Sequence, residues 1–314
     1  MRRVAAVDLG TNSTRLLVAD VEDGRVDELV RRLRITRLGE GVDARRRLLP
    51  LPIARVRNCL ADYRRELESL GAEATLAVAT SAVRDAENGE AFLGEIEWSY
   101  GFTTRLLSGE EEARLTFAGV GAGRALEPGT LVIDVGGGST ELVLDGSPLA
   151  SVDAGCVRQT ELFLASDPPS PDELERCARA VRELLAAVPD GEPAQRAIGV
   201  AGTVTTLAAL DLGLAEYDPE RVHGHVVSRS GLERQLARLA ALPLDERSDV
   251  PALEPGRAPV IVAGLVVLRE ALDRFGLDAV EASERDLLHG AALAAAELPE
   301  PVEGAAPPGA YTCC

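Results

Sequence analysis

Apolar residues in the first forty positions come in short runs broken by turn formers, not at helical intervals. RVAAVD (3–8) reads as a strand, LGTNST turns it into RLLVADV, and EDG at 22–24 leads to a third strand over 25–37. From Pro52 to Leu70 the period changes: Ile53, Val56, Leu60, Tyr63, Leu67 and Leu70 recur at helical spacing. A buried strand is predicted at 74–80 (ATLAVAT), then helical chain through 98 and a strand near 103–107. A new helix is predicted after Ser108, opened by the capping-box pair Ser108…Glu111.

The order then restarts. LVIDV, a glycine turn and TELVLD predict a hairpin, and PLASVDAG a third strand. Helices are predicted near 157–165 and 171–188, a strand at 196–201 (RAIGVA), and helices near 203–212, 230–241 and 259–275. Strand AVEAS leads to a last helix over 284–297. A meander followed by alternating strands and helices, twice over, predicts an α/β chain of two duplicated domains. The boundaries read as 1–123 for the first domain, 124–298 for the second, and 299–314 for a Pro/Gly-rich disordered tail.

The repeat extends to residue identity. VDLGTNSTRLLV (7–18) aligns without a gap on IDVGGGSTELVL (133–144), placing Asp8 on Asp134, Gly10 on Gly136, Ser13 on Ser139, Thr14 on Thr140 and Leu16 on Leu142. Each copy opens a strand–turn–strand at the head of its block. Two such hairpins can face each other across a cleft. Gly10, Thr11, Asn12 and Ser13 in the first, with Gly136, Gly137, Gly138, Ser139 and Thr140 in the second, offer unhindered N–H groups and small hydroxyls suited to phosphate oxygens. The bland alternative is a pair of Gly-rich turns with no ligand. Asp8 and Asp134 stand just before the loops, and two acids beside a phosphate require a cation; Mg²⁺ held by one or two carboxylates plus waters fits best. The competing reading is that each aspartate caps its own turn.

Composition narrows the chemistry. The chain has 314 residues, 46% of them hydrophobic and 27% charged, which suits two soluble domains. It contains no lysine, which excludes a P-loop and Schiff-base catalysis. A net charge of −18 argues against broad nucleic-acid binding, while a local arginine-lined cleft stays open. No run spans a bilayer, and the start lacks a signal-peptide core, so a cytoplasmic protein with no membrane partner is expected. Cys59, Cys156, Cys177, Cys313 and Cys314 have neither zinc spacing nor a disulfide framework. His223 and His225 lie two apart with no third ligand nearby, so zinc is not expected there either. The final Cys-Cys lacks the rest of a lipidation signal.

DLGTNSTRLL and IDVGGGSTEL resemble the two phosphate motifs of the actin-like superfamily, whose domains are ribonuclease H-like. ATSAVRDAEN (79–88), LLSGEEEARLTFAGV (106–120) and ASERDLLHGA (282–291) narrow the resemblance to the exopolyphosphatase/guanosine pentaphosphate phosphohydrolase family, over residues 3–297. The resemblance implies a Mg²⁺-dependent hydrolase that releases terminal phosphate, from inorganic polyphosphate first and guanosine pentaphosphate second, with a homodimer as the family's assembly. It assigns the general base to Glu112, immediately before Ala-Arg-Leu; from the residues alone, Glu110, Glu111 and Glu112 could all be complementing a helix dipole. It implies that Arg84 contacts phosphate, which a planar guanidinium can do through two oxygens. Glu141 matches the family's acidic position after Ser-Thr, a second metal contact, and Arg15 occupies the equivalent place in the first hairpin as a further phosphate candidate. AGTVTTLAAL (201–210) is similar to a nucleotide-binding turn of actin-like kinases, although its small residues also suit close packing. The same loops would serve an actin-like small-molecule kinase or a non-catalytic sensor of alarmone or polyphosphate.

Overall fold

The structure is a computed structural model, and it describes residues 1–189 and 192–299. The chain divides into two units, Met1–Arg124 together with the chain from Leu287, and Ala125–Asp286. The predicted tail falls, apart from Pro299, outside the described residues, as do Cys313 and Cys314.

The first unit holds β1 (Arg2–Leu9), β2 (Ser13–Glu22), β3 (Arg25–Ile35), α1 (Val42–Arg45), α2 (Pro50–Ser69), β4 (Ala74–Ala79), α3 (Ser81–Arg84), α4 (Gly89–Tyr100), β5 (Thr103–Leu106) and α5 (Gly109–Val120). Its sheet runs β3-β2-β1-β4-β5, with β1–β2 and β2–β3 antiparallel and β1–β4 and β4–β5 parallel. The second unit holds β6 (Thr130–Val135), β7 (Thr140–Leu144), β8 (Ser147–Val152), α6 (Cys156–Phe163), α7 (Pro171–Ala186), β9 (Arg196–Val200), α8 (Ala201–Asp211), α9 (Pro219–Val222), β10 (Val226–Ser228), α10 (Arg229–Ala240), α11 (Leu244–Ser248), α12 (Ile261–Phe275) and β11 (Ala279–Ala282). Its sheet runs β10-β11-β9-β6-β7-β8. Strip off the short β10 and the order and strand senses repeat those of the first sheet. The α/β duplication predicted from the pattern is present in the backbone.

One boundary differs from the sequence expectation. The last helix, α13 (Leu287–Ala296), belongs to the first unit and not to a second domain ending at 298. Both faces of β1 are buried, so both need cover. Val7 and Leu9 pack with Val56, Leu60 and Tyr63 of α2 on one face. On the other, Val4 and Ala6 pack with Leu288, Ala291, Ala292 and Ala295 of α13. Gly290 makes that fit possible, because a Cβ there would sit 1.9 Å from the Leu115 carbonyl oxygen of α5. Sequence period alone does not tell which sheet a helix covers. The helices and strand missing from the sequence reading, α1, α9, β10 and α11, are three to five residues long, too short to show a period. No helix among the described residues is long and apolar enough to cross a membrane.

Candidate active site

Each unit carries one glycine-containing hairpin loop, and the two loops are built alike. In the first, the Gly10 N–H donates to the Ser13 carbonyl at 3.0 Å; in the second, the Gly136 N–H donates to the Ser139 carbonyl at 3.1 Å. Glycine suits both because a Cβ would sit tightly, at 3.0 and 3.1 Å, against the same oxygens, and neither residue adopts a positive φ. Close approach, not unusual dihedrals, explains these glycines. The N–H groups of Thr11 and Asn12, and of Gly137 and Gly138, make no hydrogen bond among the described residues. Such amides are ready donors for an anion.

The positions flanking the loops distinguish the two. Asp8 pairs across the ladder with Arg15, and Asp134 with Glu141, so each couple shares one face of its sheet. Arg15 places both Nε and Nη2 at 2.8 Å from Asp8 Oδ2, a buried ion pair. Arg15, a sequence candidate for phosphate, and Asp8, a sequence candidate for metal, therefore engage each other. Glu141 is 1% exposed and Asp134 6% exposed, two acids on facing positions. The Ser151 hydroxyl donates to Glu141 Oε1 at 2.7 Å. Two hard oxygen donors fit a cation that keeps most of its waters, as Mg²⁺ does. Among the described residues no cluster of three or more His, Cys, Asp or Glu side chains is placed to hold a metal.

The second loop rests on a helix. At the start of α6 the Gly155 N–H donates to the Gly138 carbonyl, Cys156 to Gly136, and Val157 and Arg158 to Gly137, at 2.8–3.2 Å. The otherwise orphaned N-terminal donors of a helix are thereby satisfied, and the loop carbonyls are turned toward α6. Arg158 Nε adds a bond to the Gly138 carbonyl at 2.7 Å. A Cβ on Gly155 would lie 2.3 Å from the Gly137–Gly138 peptide, so the buttress requires glycine. Sequence reasoning placed Gly155 in a strand and gave it no role; the small-residue step Ala154-Gly155 was the only signal. Cys156 beside it is buried, which pushes its thiol up to about 11 and makes it a poor nucleophile.

In the first unit, three adjacent glutamates separate into three roles. Glu110 is exposed and pairs with Arg114 one turn on. Glu111 closes the predicted capping box, accepting from the Ser108 N–H at 2.9 Å while the Ser108 Oγ accepts from the Glu111 N–H at 3.2 Å. That backbone hydrogen bond, with help from Arg105, holds its carboxyl down at about 2. Glu112 is 6% exposed, and its Oε2 lies 3.4 Å from Arg84 Nη1. The same Nη1 donates to the Leu107 carbonyl at 2.8 Å, fixing the guanidinium at the end of α3. The first loop is tied to this helix through Thr11 Oγ1 and Ser81 Oγ, 2.9 Å apart and buried. Sequence reasoning named Thr11 and missed Ser81, although both lie in motifs it had singled out.

Other expected features resolve into packing. Arg257 donates from Nη1 to the Gly202 carbonyl at 3.0 Å and to Thr206 Oγ1 at 3.1 Å, and a Cβ on Gly202 would meet the guanidinium carbon at 2.4 Å. The turn at 201–206 is thus closely covered by an arginine side chain. His225 Nε2 lies 3.0 Å from Asp211 Oδ2, and His223 Nδ1 accepts from the Glu284 N–H at 3.2 Å, so the two imidazoles take separate partners.

Comparison with known proteins gives the chain its family. Residues 17–297 match the model of the Ppx/GppA phosphatase family. The chain is 40% identical to a protein named exopolyphosphatase 2 from Mycobacterium tuberculosis, over 94% of this chain and 99% of that protein. Among solved structures, an exopolyphosphatase-like protein is 34% identical with a TM-score of 0.86, covering 93% of this chain and 98% of that one. The Aquifex aeolicus member of the family is 33% identical with a TM-score of 0.78, covering 92% and 95%. With residues 17–297 matching its model and relatives at 33–40% identity over more than nine-tenths of the chain, the chain belongs to the Ppx/GppA phosphatase family.

Proposed function

We propose that this protein is an exopolyphosphatase, which releases the terminal phosphate of inorganic polyphosphate by attack of water. The separation of Glu112 from its two neighbours carries this reading: of the three glutamates at the head of α5, only Glu112 is buried, and it lies beside Arg84, whose short helix is tied to the first loop through Ser81 and Thr11. The 40% identity to exopolyphosphatase 2 supports the substrate class.

Glu112 orients the water and accepts its proton as the new P–O bond forms and the terminal P–O–P bond breaks. Arg84 leaves the Glu112 carboxylate for the phosphoryl oxygens, where a planar guanidinium can offset charge as it develops. The N–H groups of Thr11 and Asn12, and of Gly137 and Gly138, bind phosphate oxygens without a lysine. Asp134 and Glu141 would hold Mg²⁺, which when bound neutralises charge on the phosphates.

Phosphate release is to be measured from tripolyphosphate, long-chain polyphosphate, guanosine pentaphosphate and ATP, with and without Mg²⁺, for the wild type and Glu112→Ala. The expected result is release from polyphosphate that needs Mg²⁺ and falls roughly 10²–10⁴-fold in the variant, with binding retained. Equal rates in the two proteins would remove Glu112 from its role. Turnover that needs a phosphate acceptor would make the protein a kinase, and a preference for guanosine pentaphosphate would reassign the substrate.

A further inference from the structure

The protein has 51 acidic and 33 basic residues, yet residues 31–57 contain nine arginines and only two acids. Several of these arginines are committed. Arg32 pairs with Glu66, Arg34 with Asp62, Arg55 with Glu40 and Arg57 with Glu95. Arg37, Arg45 and Arg46 are exposed and form no ion pair among the described residues. Arg47 has only Glu87, 3.7 Å away, with both side chains more than 60% exposed. Four arginines with little or no countercharge on a protein of net charge −18 form a local field opposite to that of the whole.

The backbone fixes where this field lies. Thr36 and Arg37 both donate their N–H groups to the Asn12 carbonyl, at 3.1 and 2.8 Å, and Gly39 donates to the Thr11 carbonyl at 2.8 Å. Gly39 must be glycine for this, since a Cβ would come within 2.2 Å of Thr11 Cγ2. The segment therefore lies directly along the first phosphate loop. Seven residues beyond Gly39, the Arg46 carbonyl accepts at 2.8 Å from the N–H of Glu87, which lies three residues beyond Arg84. The arginine segment thus runs from the loop that binds phosphate to the helix that carries Arg84.

Arg37 and Arg46 also adopt left-handed backbone angles, with φ of 50° and 52°. A side chain other than glycine costs about 1–2 kcal/mol there. Glycine or asparagine would fit both turns with less strain, so neither arginine is explained by its turn.

We propose that Arg37, Arg45, Arg46 and Arg47 form a track for the tail of a condensed phosphate chain whose terminal group is bound at loop 10–13. The track rests on the hydrolase reading above and adds to it the determinant of chain length. A long polyphosphate engages the arginines through phosphates beyond the reacting one, whereas tripolyphosphate ends before most of them. Binding of a polyanion by arginines releases counterions, so affinity for long chains falls steeply with salt.

The test compares the wild type with R45Q/R46Q/R47Q and with R37Q. The ratio of kcat/KM for long-chain polyphosphate to that for tripolyphosphate is expected to fall about tenfold in the triple variant. The salt slope for long chains should flatten by roughly one unit per arginine removed. Partial misfolding lowers both rates alike and leaves the ratio as it was. An unchanged ratio with an unchanged salt slope would show the arginines to be a solvated surface and overturn the proposal. Binding of labelled long-chain polyphosphate to E112Q, with and without the arginine substitutions, separates the two readings. If the wild type releases no phosphate from any chain, the hydrolase reading fails, and the binding difference alone decides the track. Equal binding with and without the arginines would reject it whether or not the enzyme turns over.

Discussion

In the hairpin β1–β2 an aspartate and an arginine occupy the facing positions 8 and 15; in the hairpin β6–β7 an aspartate and a glutamate occupy 134 and 141. The turns between them are closed by the same backbone bond, and both couples point to one face of their sheets. A single substitution in the facing position changes what each hairpin can do. The first is neutral in itself, because Arg15 compensates Asp8. The second concentrates two buried carboxylates, which on the proposed function would hold a cation. On the proposed function, a duplicated frame with one charge reversed would serve anion binding in one hairpin and cation binding in the other.

The sharpest way to break this comparison is to neutralise the equivalent aspartates. Asp134→Asn should lower Mg²⁺-dependent phosphate release by roughly 10²-fold or more and raise the Mg²⁺ concentration needed for half-maximal rate. Asp8→Asn should leave that Mg²⁺ requirement where it was and instead cost about 3 kcal/mol in urea unfolding, since Arg15 loses the partner of a buried pair. Parallel shifts in Mg²⁺ dependence for both variants would mean that the hairpins are chemically alike.

A smaller effect separates the supports of the loops. Gly155→Ala places a methyl group against the Gly137–Gly138 peptide and should cost about 1–3 kcal/mol while raising KM for polyphosphate. Gly136→Ala requires only a slight shift from the Ser139 carbonyl at 3.1 Å and should be milder in both readouts. If Gly155→Ala is silent in unfolding and kinetics, α6 does not hold the loop.

The smallest difference expected is between the two capping boxes, Ser108–Glu111 in the first unit and Ser170–Glu173 in the second. Ser108→Ala and Ser170→Ala should each cost about 1 kcal/mol in thermal or urea unfolding. Backbone N–H donors hold both glutamates down to about 2, against an ordinary 4.5. Stability from a depressed carboxyl is present above pH 4.5 and is lost as pH falls toward 2. Because alanine keeps that backbone N–H, the pH dependence is read from Glu111→Gln and Glu173→Gln, which should show a shallower loss of stability over that interval than the wild type; equal slopes would remove the caps from acid unfolding.

Much of the fold was legible because period is a local property. The twin meanders, the helix of 50–69 and the Ser108 cap all follow from residues near one another in the chain. The loops were legible as well, since glycine, serine and threonine between apolar runs leave few other structures open. The role of Glu112 was different. Three consecutive glutamates are equivalent to any local rule, and the resemblance to a family had to choose among them. Burial then separated them: one side chain is exposed, one folds back on the cap, and one turns inward toward Arg84.

By itself the sequence determined the two-block α/β plan and the chemistry available to it: glycine-containing loops without lysine, acids before each loop, and arginine as the only strong cation. Tertiary structure decided which charges meet. Asp8 and Arg15 are seven residues apart, but Arg84 and Glu112 are 28 apart and Glu28 and His289 are 261 apart. It also decided that α13 covers the first sheet, because an apolar helix buries itself wherever a bare face is within reach. Pairing between distant side chains depends on how strands are registered and helices laid down, and no local pattern in the chain encodes it.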